Sequence, residues 1–369
     1  MNKAFTEYTF ANGKKLRNRL VLAPMTTYSS NNDLTLSKEE EIHYNARAKN
    51  FGMVIAAATA ISRNAQGFQN QISIMDESYL PSMSRLATAI KKEGSVAILQ
   101  LYHGGRMNMP NLYENQDIVS ASAVKANRDY CVIPRALETK EVYEIINDFL
   151  NAMKLAMIAG FDGVEMHGAN TYLLQQFFSP HSNQREDEFG GTVKKRLRFP
   201  LELVKRAQKL REELKRSDFI IGYRLSPEEL EEPGISLDDT MVLVEELTKQ
   251  KIDYIHLSLG RYNQSSLKDA ENKKTVISYI NDVVQNRVPI IGVGQIEDMD
   301  SINDAFESGF SLLSMGMIAL SDPFVVIHLK DGLKPIKHFS EKSLIPTNIY
   351  QRMLKGVPGN KRGFTISEK

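Results

Sequence analysis

The stretch His167-Gly168-Ala169-Asn170-Thr171-Tyr172 places an imidazole, a carboxamide and a phenol within six residues. Such groups can grip a substrate oxygen and move a proton. Other polar residues close short apolar runs elsewhere: Gln100 and His103 in 95–103, Arg224 in 220–226, and Pro24-Met25-Thr26 at the end of 19–24. Gly292-Val293-Gly294 and Gly316 end two more runs, and glycines after the last strands of a barrel are where phosphate is held. Taken singly, each residue has a structural explanation. A strand-end His or Arg more often satisfies a hydrogen bond than catalyses, Gln100 can bond a neighbouring backbone, and Tyr172 can pack at a helix start. The functional reading rests on their all falling on one rim.

That rim follows from the elements. Eight apolar runs read as strands buried on both faces: 19–24, 53–61, 95–103, 163–168, 220–226, 254–259, 289–295 and 312–317. Amphipathic stretches lie between them. Thr139 caps a predicted helix through Ala159, with Val142, Tyr143, Ile146, Phe149, Leu150, Met153 and Met157 on one face and Gly160 as the stop. Ser236 caps another, with Asp238 and Asp239 in its first turn. Alternating strands and helices without a linker predict a (β/α)8 TIM barrel, an α/β fold whose active site lies at the C-terminal strand ends. A doubly wound sheet would need a Gly-rich first turn after strand one, which is missing. Asn12-Gly13 marks an N-terminal β-hairpin that caps the N-terminal mouth. The polar, irregular segment 104–138, between strands three and four, suits a lid over the C-terminal mouth. The expectation is one domain over 1–369, with the barrel at about 19–330 and a C-terminal tail at about 331–369.

Composition excludes other classes. Of 369 residues, 42% are hydrophobic and 25% charged, so the bulk of the chain is not disordered. Forty-six basic against forty-five acidic residues give a net charge of +1, and no global field draws nucleic acid or a membrane. Cys131 stands alone, which excludes an intrachain disulfide, a thiolate zinc knuckle and a four-thiolate iron–sulfur site. No metal site is expected. The N-terminus lacks a signal-peptide apolar core, and the longest apolar run, 53–61, is far short of the ~20 residues that span a bilayer. A cytoplasmic protein is expected.

Several segments together resemble the old yellow enzymes, the FMN-dependent ene-reductases. They are VLAPMTTYS at 21–29, LQLYHGGR at 99–106, HGANTYLLQQFFSPHSNQREDEFGG at 167–191, TVKKRLRF at 192–199, IGYRLS at 221–226 and the GVG…MGM tail. The resemblance implies non-covalent FMN across the barrel mouth and NADH or NADPH as reductant. It places Pro24, Met25, Thr26 and Ala58 along the flavin ring, Gln100 at its pyrimidine edge and Arg224 beside its N1 and C2 carbonyl. His167 and Asn170 match the donors that grip the ligand oxygen, Tyr172 the proton donor to the substrate α-carbon, and Tyr28 a ligand contact in a bacterial branch. The single Cys sets the chain apart from the cluster-bearing dienoyl-CoA reductases of the family.

One end departs from the pattern. Where the family shows Gly-Arg after strand eight, this chain has Gly316-Met317. Backbone N–H groups at Gly294, Gly316 and Met317 remain to cradle the phosphate, and another cation would have to replace the guanidinium. The C-terminal Lys361-Arg362-Gly363-Phe364 resembles a tail that reaches into a neighbouring subunit's active site in some bacterial members. That implies a homo-oligomer with Arg362 at the substrate; the alternative is a frayed basic terminus. Arg185, Asp187, Arg196 and Arg198 read as a structural charge network. The activity implied is hydride transfer from NAD(P)H through flavin N5 to the activated C=C bond of an unsaturated carbonyl, nitro compound or quinone. Two other readings stay open: a phosphate-binding barrel of other chemistry, and a non-catalytic flavin- or ligand-binding barrel.

Overall fold

The computed structural model describes residues 2–356 and 362–367. A short hairpin opens the chain, β1 (Tyr8–Thr9) pairing antiparallel with β2 (Lys15–Leu16). The barrel strands follow: β3 (Leu20–Leu22), β4 (Met53–Ile55), its continuation β5 (Thr59–Ala60), and β6 (Val96–Tyr102). After a two-strand excursion, β7 (Val119–Ser120) and β8 (Arg135–Ala136), come β9 (Gly163–Gly168), β10 (Ile220–Leu225), β11 (Tyr254–Leu257), β12 (Ile290–Val293) and β13 (Leu312–Met315). Their order is β4-β3-β13-β12-β11-β10-β9-β6, all parallel, and β4 pairs with β6 to close the ring. This is the predicted eight-stranded (β/α)8 barrel.

The strand interiors alternate. Inward residues at the N-terminal end form one apolar layer: Val21, Met53, Ile55, Val96, Ile98, Ile220, Tyr254, Ile291 and Leu312. Phe10 and Leu16 of the hairpin pack into that layer, Phe10 lying 6.3 Å from the Tyr254 ring. The hairpin therefore plugs the N-terminal mouth as expected.

Two details differ from the sequence reading. The run 53–61 is not one strand, because the Ala57 N–H turns off the ladder to the Tyr44 hydroxyl at 2.8 Å. The ladder resumes only at Thr59. The long helix Thr139–Ala159 is capped by Glu138 and not Thr139: the Glu138 side chain accepts from the backbone at Glu141, whose own side chain accepts from the Glu138 N–H. Thr139 instead donates to Asp187 Oδ2 at 2.7 Å. Ser236 caps its helix, Leu237–Lys249, as predicted, in a reciprocal pair with Asp239.

The segment 104–138 lies against the C-terminal mouth, where Met107, Ala126 and Cys131 pack around Tyr172. Gln176 pins it there: its Nε2 donates to the Gly104 carbonyl at 3.0 Å, and its Oε1 accepts from the Arg106 N–H at 3.0 Å and the Ser120 hydroxyl at 2.9 Å. The network read as structural is so placed. Arg185 pairs with Asp187 at 2.5 Å, Arg196 donates to the Phe178 and Gly191 carbonyls, and Arg198 pairs with Glu188 at 2.7 Å. Among the described residues, no helix is long and apolar enough to cross a membrane.

Candidate active site

Above the apolar layer, the next inward positions are polar. Gln100 of β6, Glu165 of β9, Arg224 of β10 and His256 of β11 are all buried at the C-terminal end. Glu165 accepts from Gln100 Nε2 at 2.7 Å, the Tyr254 hydroxyl at 3.0 Å and His256 Nδ1 at 2.9 Å. Gly222 gives Tyr254 room to reach it, since a Cβ there would lie 2.0 Å from the Tyr254 ring. Burial alone would raise the Glu165 carboxyl, but His256, Arg224 and Gln100 hold it below its ordinary value. His256 is kept neutral by burial and by the Arg224 charge, against the pull of Glu165. The Arg224 and Glu165 charges thus lie within each other's field beneath the mouth. The buried Arg224 Nε has no partner among the described residues, so a bound group that accepts hydrogen bonds fits this face. The sequence reading found Gln100 and Arg224 but missed Glu165, Tyr254 and His256. Their period-2 register with Gln100 was the available signal.

The turn from β9 into the helix Leu173–Phe178 supplies the remaining candidates. His167 is buried, and that burial, helped by nearby Arg224, lowers its imidazole to about 3, so it is neutral. Its Nδ1 lies 3.3 Å from the Ala169 N–H and accepts from it, which puts the ring proton on Nε2 as a donor. Asn170 and Thr171 both lie in the left-handed region, at φ 57° and 64°. Asn tolerates this readily; a β-branched Thr does so only under constraint. Asn170 Oδ1 accepts from the Ser258 hydroxyl at 2.7 Å, leaving its NH2 as the outward donor. Ser258 in turn receives Arg224 Nη2 at 3.3 Å. Tyr172 packs edge-on to His167 at 4.9 Å and to Tyr102 at 4.5 Å. Burial is the main reason its phenol is raised well above the usual range. Tyr172 and the neutral His167 are thus in direct contact, and Asn170 is tied through Ser258 to Arg224.

Pro24, Met25 and Thr26 follow β3 and are half-buried; Ala58 is buried in the β4–β5 break, with its carbonyl taken by Gln71 at 2.8 Å. Tyr28, at φ 56°, meets Phe68 edge-on at 5.4 Å, and Phe68 lies 6.2 Å from Tyr172. Gly294, Gly316 and Met317 line a separate cavity of about 180 Å³ beyond β12 and β13. Arg362 lines that cavity too, in the same chain. The resemblance implied that it reaches a neighbour's substrate, with a frayed terminus as the alternative; within this chain it lies beside these glycines. Lys361 lies outside the described residues. Ser314 also lines this cavity, and its buried hydroxyl has no partner among the described residues.

A parallel barrel with buried polar and charged side chains under its C-terminal mouth and a glycine-lined cavity beside the last two strands suits a phosphate-bearing ligand. The chain belongs to the NADH:flavin oxidoreductase / NADH oxidase family, whose sequence profile matches residues 3–335. It is 41% identical over 328 residues to the probable NADH-dependent flavin oxidoreductase YqiG of Bacillus subtilis (strain 168), covering 89% of this chain and 88% of that one. It is 40% identical over 326 residues to the NADH:acrylate oxidoreductase of Vibrio harveyi, covering 88% of this chain but only 32% of that longer protein. Morphinone reductase has the same fold, with a TM-score of 0.77 at 24% identity over 92% of each chain. The protein is an NAD(P)H-dependent flavin oxidoreductase with FMN as its cofactor.

Proposed function

We propose that the chain is an ene-reductase that reduces activated alkenes, small unsaturated carboxylates among them. The observation that carries this is the packing of the Tyr172 ring edge-on to His167, with Asn170 joined through the Ser258 hydroxyl to Arg224. Bound FMN supplies the relay that takes hydride at N5 from NAD(P)H and gives it to the alkene β-carbon.

The rest is done by this chain's side chains. Arg224 is a buried cation that donates to Ser258 and lies in the field of Glu165, and it favours negative charge accumulating beside it. Gln100, its amide nitrogen given to Glu165, turns its carbonyl to accept from a ring N–H. His167 and Asn170 grip the acceptor oxygen and stabilise it as it becomes enolate-like. Tyr172 is protonated at neutral pH and gives its proton to the α-carbon. The Vibrio harveyi relative, named for acrylate, supports a carboxylate-activated alkene.

Tyr172→Phe keeps the ring and its packing and removes the proton. Flavin reduction by NADH should be nearly unchanged, while turnover of a weakly activated enone should fall by roughly 10²–10⁴-fold. Nitroalkenes and quinones, whose anions await solvent protons, should lose less. Equal loss in both half-reactions would make Tyr172 structural, and no loss in either would make solvent the donor.

A further inference from the structure

The cavity beyond β12 and β13 is built for an anion, and its cation comes from the far end of the sequence. Gly294, at φ 110°, makes the turn possible: a Cβ there would meet the Leu259 carbonyl at 2.7 Å. Ser314 presents to the same space a buried hydroxyl that has no partner among the described residues. Backbone N–H groups and a hydroxyl give hydrogen bonds without net charge, whereas a phosphate monoester carries nearly two negative charges at neutral pH. Burying such a group without a cation is strongly unfavourable. Among the described residues that line the cavity, Arg362 is the one cation and Glu297 the one anion.

The tail's own packing holds Arg362 there. β14 (His338–Phe339) pairs in parallel with β15 (Thr365–Ile366), and Phe364 is buried with its ring 6.0 Å from Phe339. The Tyr350 hydroxyl donates to the Ser367 carbonyl at 2.7 Å. Arg362, two residues before Phe364, pairs with one oxygen of Glu297 through Nη2. Lys337 Nζ holds the other oxygen at 2.8 Å and also donates to the Arg362 carbonyl at 3.3 Å.

We propose that Arg362 is the phosphate-binding cation of the FMN site, acting within its own chain in place of a cation that Met317 cannot supply. This rests on the assignment of the Gly294–Gly316 cavity to the cofactor's phosphate. Glu297 holds the guanidinium ready. The guanidinium presents a planar fork suited to a phosphate, and Lys337 neutralises the second oxygen of Glu297. The C-terminal tail is thereby part of the cofactor site, and its first task is loading FMN.

Riboflavin separates the phosphate from the ring. Full-length apoprotein is titrated with FMN and with riboflavin, following quenching of flavin fluorescence. The wild type should bind FMN far more tightly than riboflavin. Arg362→Ala should weaken FMN by about 10- to 100-fold and leave riboflavin unchanged, with Arg362→Lys in between. Inorganic phosphate should compete with FMN in the wild type and much less in Arg362→Ala. Equal weakening of both flavins would mean the residue only packs the tail, and no weakening of either would remove it from the site. Selective FMN loss in Arg261→Ala instead, whose backbone lies against Gly294, would move the role to Arg261. A wild type that binds riboflavin as tightly as FMN would overturn the phosphate assignment itself, whatever the variants do.

Discussion

The groups proposed to grip the substrate at this mouth are neutral, and for the imidazole it is burial that keeps it so. His167 and His103 are each lowered to about 3 by burial, and His43 is also held well below its ordinary value, by burial and by Arg47. In the unfolded chain each would titrate near 6.5. The unfolded state therefore binds more protons between pH 6.5 and 3, so the stability these residues contribute is full above about 6.5 and is lost as pH falls. Apoprotein should lose about 1 kcal/mol per buried histidine between pH 7 and 5.5, read from urea midpoints. His167→Asn should flatten part of that loss; a midpoint that does not move over this range would mean the imidazoles are already charged in the fold. At this scale the sequence showed what protrudes from strand ends. Gln100, His167, Asn170, Tyr172 and Arg224 were legible because a barrel places such ends on one rim. Glu165 and His256 were not, because each stands inside an apolar run and reads as an interruption of a strand.

Strands here are apolar for most of their length and polar on one inward position near the end, so each carries both the core and the site. The apolar layer and the hairpin that covers it fix the register that brings Gln100, Glu165, Arg224 and His256 level. Phe10 is the hairpin's anchor, buried against Tyr254, and Tyr254 donates to Glu165. Phe10→Ala should cost about 3–5 kcal/mol of stability by leaving a cavity at the N-terminal mouth. Its effect on flavin reduction should be small in protein that remains folded. Thermal unfolding with matched flavin-reduction rates checks both; a cost below 1 kcal/mol would mean the hairpin is not part of the core. The strand and hairpin positions were legible from apolar runs and Asn12-Gly13. The break at Ala57 was not, since it depends on Tyr44 from a helix earlier in the chain, and neither was the Glu138 cap, since Thr139 is the better intrinsic candidate.

Across the whole molecule, the proposed function has one barrel mouth serve NAD(P)H and the alkene in turn, as the resemblance carried by the long motif at 167–191 implied. Where the tail packs was not legible from sequence, because a basic Arg-Gly-Phe segment says nothing about which surface it meets; within this chain Phe364 meets Phe339. A shared mouth requires the oxidised nicotinamide to leave before the alkene enters. Anaerobic stopped-flow spectroscopy tests this most directly, with the holoprotein first reduced by NADH and then mixed with an enone, a nitroalkene or acrylate. The flavin band should bleach, and should return in full with one equivalent of reduced alkene per flavin, at a rate that depends on alkene concentration. A flavin that stays reduced with every alkene, and recovers only when oxygen is admitted, would contradict the ene-reductase assignment.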